Sequence, residues 1–205
     1  MIVAIDASST DLSVALAQPD GTLVADDAWS SAQRQSAELL PRVLGLLAAA
    51  GHAPADLSAL GVGTGPGSFT GLRVAMALAK GLAVGLGRPL VGVPSLDAWL
   101  EADPEGVAAV ARAGAREGYL LERGSAAPRI VDRDELAAWA GPLLAATELA
   151  DSFGLERARA PRAAAAIARR TAWRLATEPD GDDLAMLEPI YLRAPRGVPA
   201  PDAGG

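Results

Sequence analysis

The 205-residue sequence has no cysteine, which excludes disulfides, thiolate zinc sites and cysteine nucleophiles together. Its one histidine is His52, so a histidine-based metal site or a Ser-His-Asp triad would have to be built around that residue alone. Aromatics make up 4%, too few for the stacking platforms of RNA-binding modules. Lysine is reduced to Lys80, and every other basic residue is arginine. No run reaches the roughly 18 uninterrupted apolar residues of a membrane span. The opening Met1–Asp6 carries no basic flank and no signal-cleavage pattern, so the expectation is a cytoplasmic protein without a membrane partner.

What is present is an apolar, acidic chain. Half of it is hydrophobic and the net charge is −7, enough core for one large or two small domains and the wrong sign for nonspecific phosphate binding. Ile2–Ile5 reads as a buried strand and Leu12–Leu16 as its hairpin partner. A turn at Pro19-Asp20-Gly21 leads to a third strand over 22–29. Leu39, Val43, Leu46 and Leu47 recur at helical spacing, with Ser36 as expected N-cap and Gly51 as stop. Strands over 57–62 and 89–93 bracket a helix over 70–86, and Ser95 is expected to cap a further short helix. Residues 1–102 thus spell β-β-β-α-β-α-β-α, a mixed sheet with helices packed on it. Asp103–Gly106 reads as a boundary. A smaller unit follows over 103–193, with strands over 107–113 and 118–122 and helices over 134–140 and 163–177. Its segment 186–193 is placed as returning to the first unit, and 194–205 reads as a flexible tail.

A Gly-rich loop, Gly65-Pro66-Gly67-Ser68-Phe69-Thr70-Gly71, joins a strand to a helix. Such loops can cradle anions, but neither G-x-x-x-x-G-K-[ST] nor G-x-G-x-x-G is present. A tight turn capped by Ser68 or Thr70 is the favoured reading. The helix that follows is apolar on most sides, and Ala77, Gly81 and Gly85 form a small-residue stripe at i, i+4, i+8. A helix apolar all round needs cover on more than one face.

The string from Gly65 to Arg73, with Ala79-Lys80-Gly81-Leu82-Ala83 and Gly92-Val93-Pro94-Ser95-Leu96, resembles the TsaB (YeaZ) family. The opening Ile5-Asp6-Ala7-Ser8 and the closing Pro189-Ile190-Tyr191-Leu192-Arg193 agree. The likeness is dense over 1–100 and thin over 105–185. It implies an α/β fold of the actin/Hsp70/sugar-kinase (ASKHA) type, with two lobes, each a mixed sheet flanked by helices, and the second lobe reduced. It also implies a role in making N6-threonylcarbamoyladenosine at adenosine 37 of tRNAs reading ANN codons. In that role the chain is a non-catalytic partner that activates the transferase TsaD, with the ATPase TsaE joining the pair, tRNA reached through the complex, and a homodimer formed in the partner's absence. The pairing helices map to 33–50 and 70–86, which makes Leu39, Val43, Leu46, Leu47, Arg73, Ala77, Gly81 and Gly85 the interface candidates. No cofactor is expected on the isolated chain, with ATP and Mg²⁺ only in the complex.

The alternative is a small ATPase or phosphotransferase of the same fold. Asp6, Ser8, Ser9 and Thr10 match a first-lobe phosphate loop, where a carboxylate would hold hydrated Mg²⁺, and are otherwise vestigial. The second-lobe partner departs from the family pattern: Arg112 stands where an Asp is common, and Gln35 stands where relatives often carry a histidine. No metal ligand set and no catalytic residue are assigned. A peptidase finds no triad. Asp26-Asp27 and Asp182-Asp183 read as solvated turns, His52 as a solvated loop residue, and the Arg157–Arg174 cluster as the exposed face of an amphipathic helix.

Overall fold

The structure is a computed structural model and describes residues 1–192 apart from Ala32, Arg157 and Pro161. The expected tail over 194–205, and Arg193 of the closing motif, lie outside the described residues.

The first lobe contains β1 (Ile2–Asp6), β2 (Asp11–Ala17), β3 (Leu23–Ser30), α1 (Gln35–Ala49), β4 (Ala59–Gly63), α2 (Phe69–Leu86), β5 (Leu90–Val93) and α3 (Ser95–Ala102). Its sheet runs β3-β2-β1-β4-β5. The hairpin strands are antiparallel, and β4 and β5 join in parallel after helical crossovers. The second lobe repeats the plan with β6 (Ala108–Arg112), β7 (Glu117–Glu122), β8 (Arg129–Asp132), α4 (Arg133–Ala137), β9 (Leu143–Ala145), α5 (Thr147–Phe153), β10 (Ala158–Arg159) and α6 (Ala164–Leu175). The order β10-β9-β6-β7-β8 is the same winding met a second time. This is the two-lobed ASKHA-type architecture, and the second lobe is reduced in strand and helix length rather than in strand number.

Strand alternation sorts the side chains into layers. Val3, Ile5, Val14 and Leu16 face α1 and α2, against Leu39, Val43, Leu47, Ala75 and Ala79. Ile2, Ala4, Ala15 and Ala17 face the opposite way, onto α6 and Trp99 of α3. That same cluster reaches Ala109, Ala111, Tyr119 and Leu121 of the second sheet. The α3–α6 pair therefore lies between the two sheets, with α3 on β6 and α6 on β1, β2 and β4. Gly61 admits this approach: a Cβ there would stand 2.3 Å from Thr171 Oγ1 and 2.9 Å from Ile167 Cγ2. A separate cluster of Val110, Leu120, Val131, Leu136, Leu149 and Phe153 closes the far side under α4 and α5.

Two expected caps differ. Ser36 lies inside the first turn of α1, whose cap position, Arg34, makes no side-chain capping bond. Ser95 is the first residue of α3, and its hydroxyl serves Asp6 instead. Ser68 does cap α2, accepting from the Gly71 N–H at 3.2 Å, and Gly87 ends that helix at φ +63°. Among the described residues α2 is the one helix with the length and hydropathy of a membrane span, and a third of it is buried inside the protein.

Candidate functional site

Asp6 ends β1 at the junction of the lobes and is buried. Its Oδ2 accepts from Ser8 Oγ at 2.9 Å and from Trp99 Nε1 at 3.0 Å, and its Oδ1 accepts from Ser95 Oγ at 2.9 Å. Burial pushes the carboxyl above its usual range, against the pull of these donors. Ser95 Oγ also receives the Gly65 N–H at 3.0 Å. A hydrated Mg²⁺ needs open carboxylate lone pairs, and these oxygens are turned inward and occupied. The ion does not fit Asp6 as the side chains stand. Ser9 is likewise spent locally, donating to the Asp11 carbonyl at 2.9 Å and receiving its N–H at 3.1 Å. The hydroxyl of Thr10 is buried without a hydrogen-bond partner, in the wall of an interlobe cavity of about 340 Å³. Of the loop Asp6, Ser8, Ser9 and Thr10, the first three thus knit β1, β2 and α3 together.

The Gly-rich loop lies directly on this turn. A Cβ on Gly67 would stand 2.0 Å from the Ser8 carbonyl oxygen, and one on Gly71 would stand 2.1 Å from that of Ala7. Ser68 N–H donates to Ser8 O at 2.7 Å. Gly65 has φ +92° and precedes a cis peptide to Pro66. Gly65, Gly67 and Gly71 therefore form a close-packed joint with this turn, their missing side chains needed for the close approach, while Phe69 and Thr70 face solvent.

Across the cleft, Arg112 binds Glu148 at 2.6 and 3.3 Å and Ser152 Oγ at 2.7 Å. Asp11 accepts the first N–H of α5, from Thr147, at 2.6 Å, and Ser30 Oγ donates to its other oxygen. The chain's own carboxylate thus occupies the helix start that an anion would seek.

The α1–α2 surface divides differently from the expected interface. Leu39, Val43 and Leu47 are at most 1% exposed, and Leu46 packs half-buried against the same core, so three of the four α1 candidates face inward. Helical rotation instead exposes Leu40 and Leu44 at 39% and 40%. On α2, Ala77, Gly81 and Gly85 are exposed beside Val84, which is 70% exposed. A Cβ on Gly81 or Gly85 would meet nothing within 4 Å. Arg73 heads this stripe, but its guanidinium lies 3.9 Å from the Phe69 ring and donates to Tyr191 Oη at 3.1 Å.

The remaining candidates are structural. Asp27 pairs with Arg42 and Asp26 with Arg162. Asp182 is no solvated turn: it takes Arg174 at 2.6 Å and the Gly92 N–H at 2.7 Å, pinning the C-terminal segment along β5. Ile190 N–H then donates to Thr64 O at 2.7 Å. Of the arginine cluster, Arg159 meets Asp103 and Glu105, and Arg169 and Arg170 share Glu101. Arg157 lies outside the described residues. His52 sits 3.6 Å from Asp56. Among the described residues no group of three or more His, Asp or Glu side chains is placed to hold a metal. The Asp6–Trp99 bond and the Asp11 cap were missed by sequence reading, because partners 93 and 136 residues apart leave no periodic signal.

Comparison with known proteins adds to this geometry. A family model described as "TsaD: tRNA N6-adenosine threonylcarbamoyltransferase" matches residues 30–138. The tRNA threonylcarbamoyladenosine biosynthesis protein TsaB of Escherichia coli is 36% identical over 146 residues, covering 68% of this chain and 58% of that protein. TsaB of Bacillus subtilis is 41% identical over 96 residues, 47% of this chain and 42% of that protein. The chain spans about half the length of these curated relatives. A solved structure of YeaZ from Pseudomonas aeruginosa superposes with a TM-score of 0.68 at 24% identity, covering 93% of this chain and 99% of that one.

Proposed function

Because the chain belongs to the TsaB (YeaZ) family, we propose that it acts in the formation of N6-threonylcarbamoyladenosine in tRNA as a non-catalytic subunit that holds TsaD in its active arrangement. The observation that carries this reading is the exposed apolar ledge of α1 and α2: Leu40 and Leu44 on one helix, Ala77, Gly81, Val84 and Gly85 on the other. Apolar surface left open at this density favours a protein partner. The two glycines, with open space above them, let a second helix approach to backbone distance. TsaD is the partner in this reading, TsaE joins the pair, and a homodimer over the same ledge forms when TsaD is missing. ATP and Mg²⁺ belong to the complex. The inward-turned carboxylate of Asp6 supports a silent role for the isolated chain over a phosphotransferase.

The test is reconstitution. TsaD, TsaE, this chain and threonylcarbamoyl-adenylate should modify tRNA, and Gly81→Trp should abolish both modification and co-elution with TsaD without lowering the melting temperature of the free chain. Full modification without this chain would remove the proposed role. Activity retained by Gly81→Trp would move the contact off α2.

A further inference from the structure

A large apolar side chain left in water on the outer face of a helix is a feature that core packing does not explain. Trp173 is such a residue. It is 73% exposed, the most open aromatic ring among the described residues. It stands on α6 among Arg169, Arg170 and Arg174, while Ile167, Ala168, Thr171 and Ala172 of the same helix are buried. Among the described residues it makes no hydrogen bond, ring stack or cation contact.

The ring lines a groove of about 480 Å³ between α6, α3 and the end of β5, together with Val93, Pro94 and Glu101. Apolar surface there meets three guanidinium groups and one carboxylate, on a chain whose net charge is −7. Arg174 is taken up by Asp182 and Glu178. Arg169 and Arg170 share a single counter-charge, Glu101, at 3.3 and 2.6 Å, and both are more than a third exposed. One cation is therefore uncompensated, and most N–H donors of the two groups are left unclaimed. An exposed Trp ringed by Arg is the composition of a protein-binding hot spot. The ring is too open for a small ligand to be enclosed, and the surplus cation sets the sign of what lies against it.

We propose that this groove docks an acidic, apolar segment of a protein partner, an apolar side chain lying on Trp173 and Val93 and a neighbouring carboxylate on Arg169 and Arg170. The α3–α6 pair covers one face of the first sheet, and α1 and α2 cover the other. The groove thus stays open when the α1–α2 ledge is occupied, and the proposal stands apart from the reading of that ledge.

Calorimetric titration of the full chain with the peptide Ac-Asp-Leu-Phe-Asp-Leu-Glu-amide tests this, beside the same peptide with lysine at each acidic place and beside free phenylacetate. The acidic peptide should bind with a Kd on the order of 1 mM or tighter, at least about tenfold more tightly than either control, and should shield tryptophan fluorescence from acrylamide quenching. Trp173→Ala and Arg169→Ala/Arg170→Ala should each weaken it at least about tenfold. Glu101→Gln, which frees both guanidinium groups, should tighten it, and Gly81→Trp should leave it unchanged. The substituted side chains of α6 lie largely in water, and melting temperatures verify that the variants fold. No binding of the acidic peptide, equal binding of the lysine peptide, phenylacetate bound as tightly as the peptide, binding retained by Trp173→Ala or by the double arginine variant, or binding weakened by Glu101→Gln or Gly81→Trp would each overturn the proposal.

Discussion

At the scale of single residues, Asp6 has the most at stake. Four donors converge on one buried carboxyl, and each donor left unsatisfied costs about 1–3 kcal/mol. Asp6→Ala is therefore expected to destabilise the chain by at least about 3 kcal/mol in urea denaturation. Asp6→Asn keeps the shape and removes the buried charge. Because burial raises the folded pKa above 3.8, the native state holds its proton longer than the unfolded chain. The Asp6 contribution to stability then declines as pH rises from the unfolded value through the raised folded value. The stability of Asp6→Asn relative to wild type should accordingly improve with rising pH across that window and then level off. A relative stability that stays flat with pH would show that Asp6 keeps its ordinary pKa. Asp6 was recognisable in the sequence from the family likeness of Ile5-Asp6-Ala7-Ser8. Its partners were not, because Trp99 reaches it only after α3 has been laid across the junction.

At the scale of elements, glycines in one stretch of chain divide into two kinds. Gly67 has the Ser8 carbonyl 2.0 Å from the place of a Cβ, whereas Gly81 and Gly85 face open space. Gly67→Ala should cost about 2 kcal/mol or more, because backbone cannot move aside cheaply. Gly81→Ala and Gly85→Ala should each stabilise the free chain by about 0.5–1 kcal/mol through helix propensity; thermal melts of the three variants check the contrast. A helix that carries this stability cost on its exposed face fits one shaped for contact. The small-residue stripe was legible from its i, i+4, i+8 spacing. The inward side of α1 was not separable from the outward side, because six apolar residues within Leu39–Leu47 form one continuous arc over nearly half of the helical circumference. Periodicity thus marked an apolar helix, and the sheet beneath it selected Leu39, Val43 and Leu47 over Leu40 and Leu44.

At the scale of the whole molecule, the lobes are joined by exchange. α6 follows the second sheet in sequence yet packs on the first, and β2 of the first lobe caps two second-lobe helices, Asp11 on Thr147 and Ser13 on Ala164 at 3.1 Å. The ion pairs that also cross the junction, Asp26–Arg162 and Glu101 with Arg169 and Arg170, are solvent-exposed and contribute about 0–1 kcal/mol each. The shared apolar layer dominates. Ser13→Ala should thus cost about 1 kcal/mol and speed hydrogen exchange in the first turn of α6, whereas 1 M salt, which screens such pairs, should leave that exchange unchanged. Equal sensitivity to salt would show that charge holds the lobes. Amino-acid order alone determined the strand-and-helix succession of the first lobe, the joint at Gly65–Gly71 and the family likeness, since these depend on local periodicity, turn chemistry and a dense motif. Only the folded chain decided the short strands β8 to β10, the inward turn of Asp6, the exposed side of α1 and the groove that sets Trp173 beside Val93 and Glu101. Each of these depends on residues distant in sequence meeting across a lobe junction, and no local pattern encodes such a meeting.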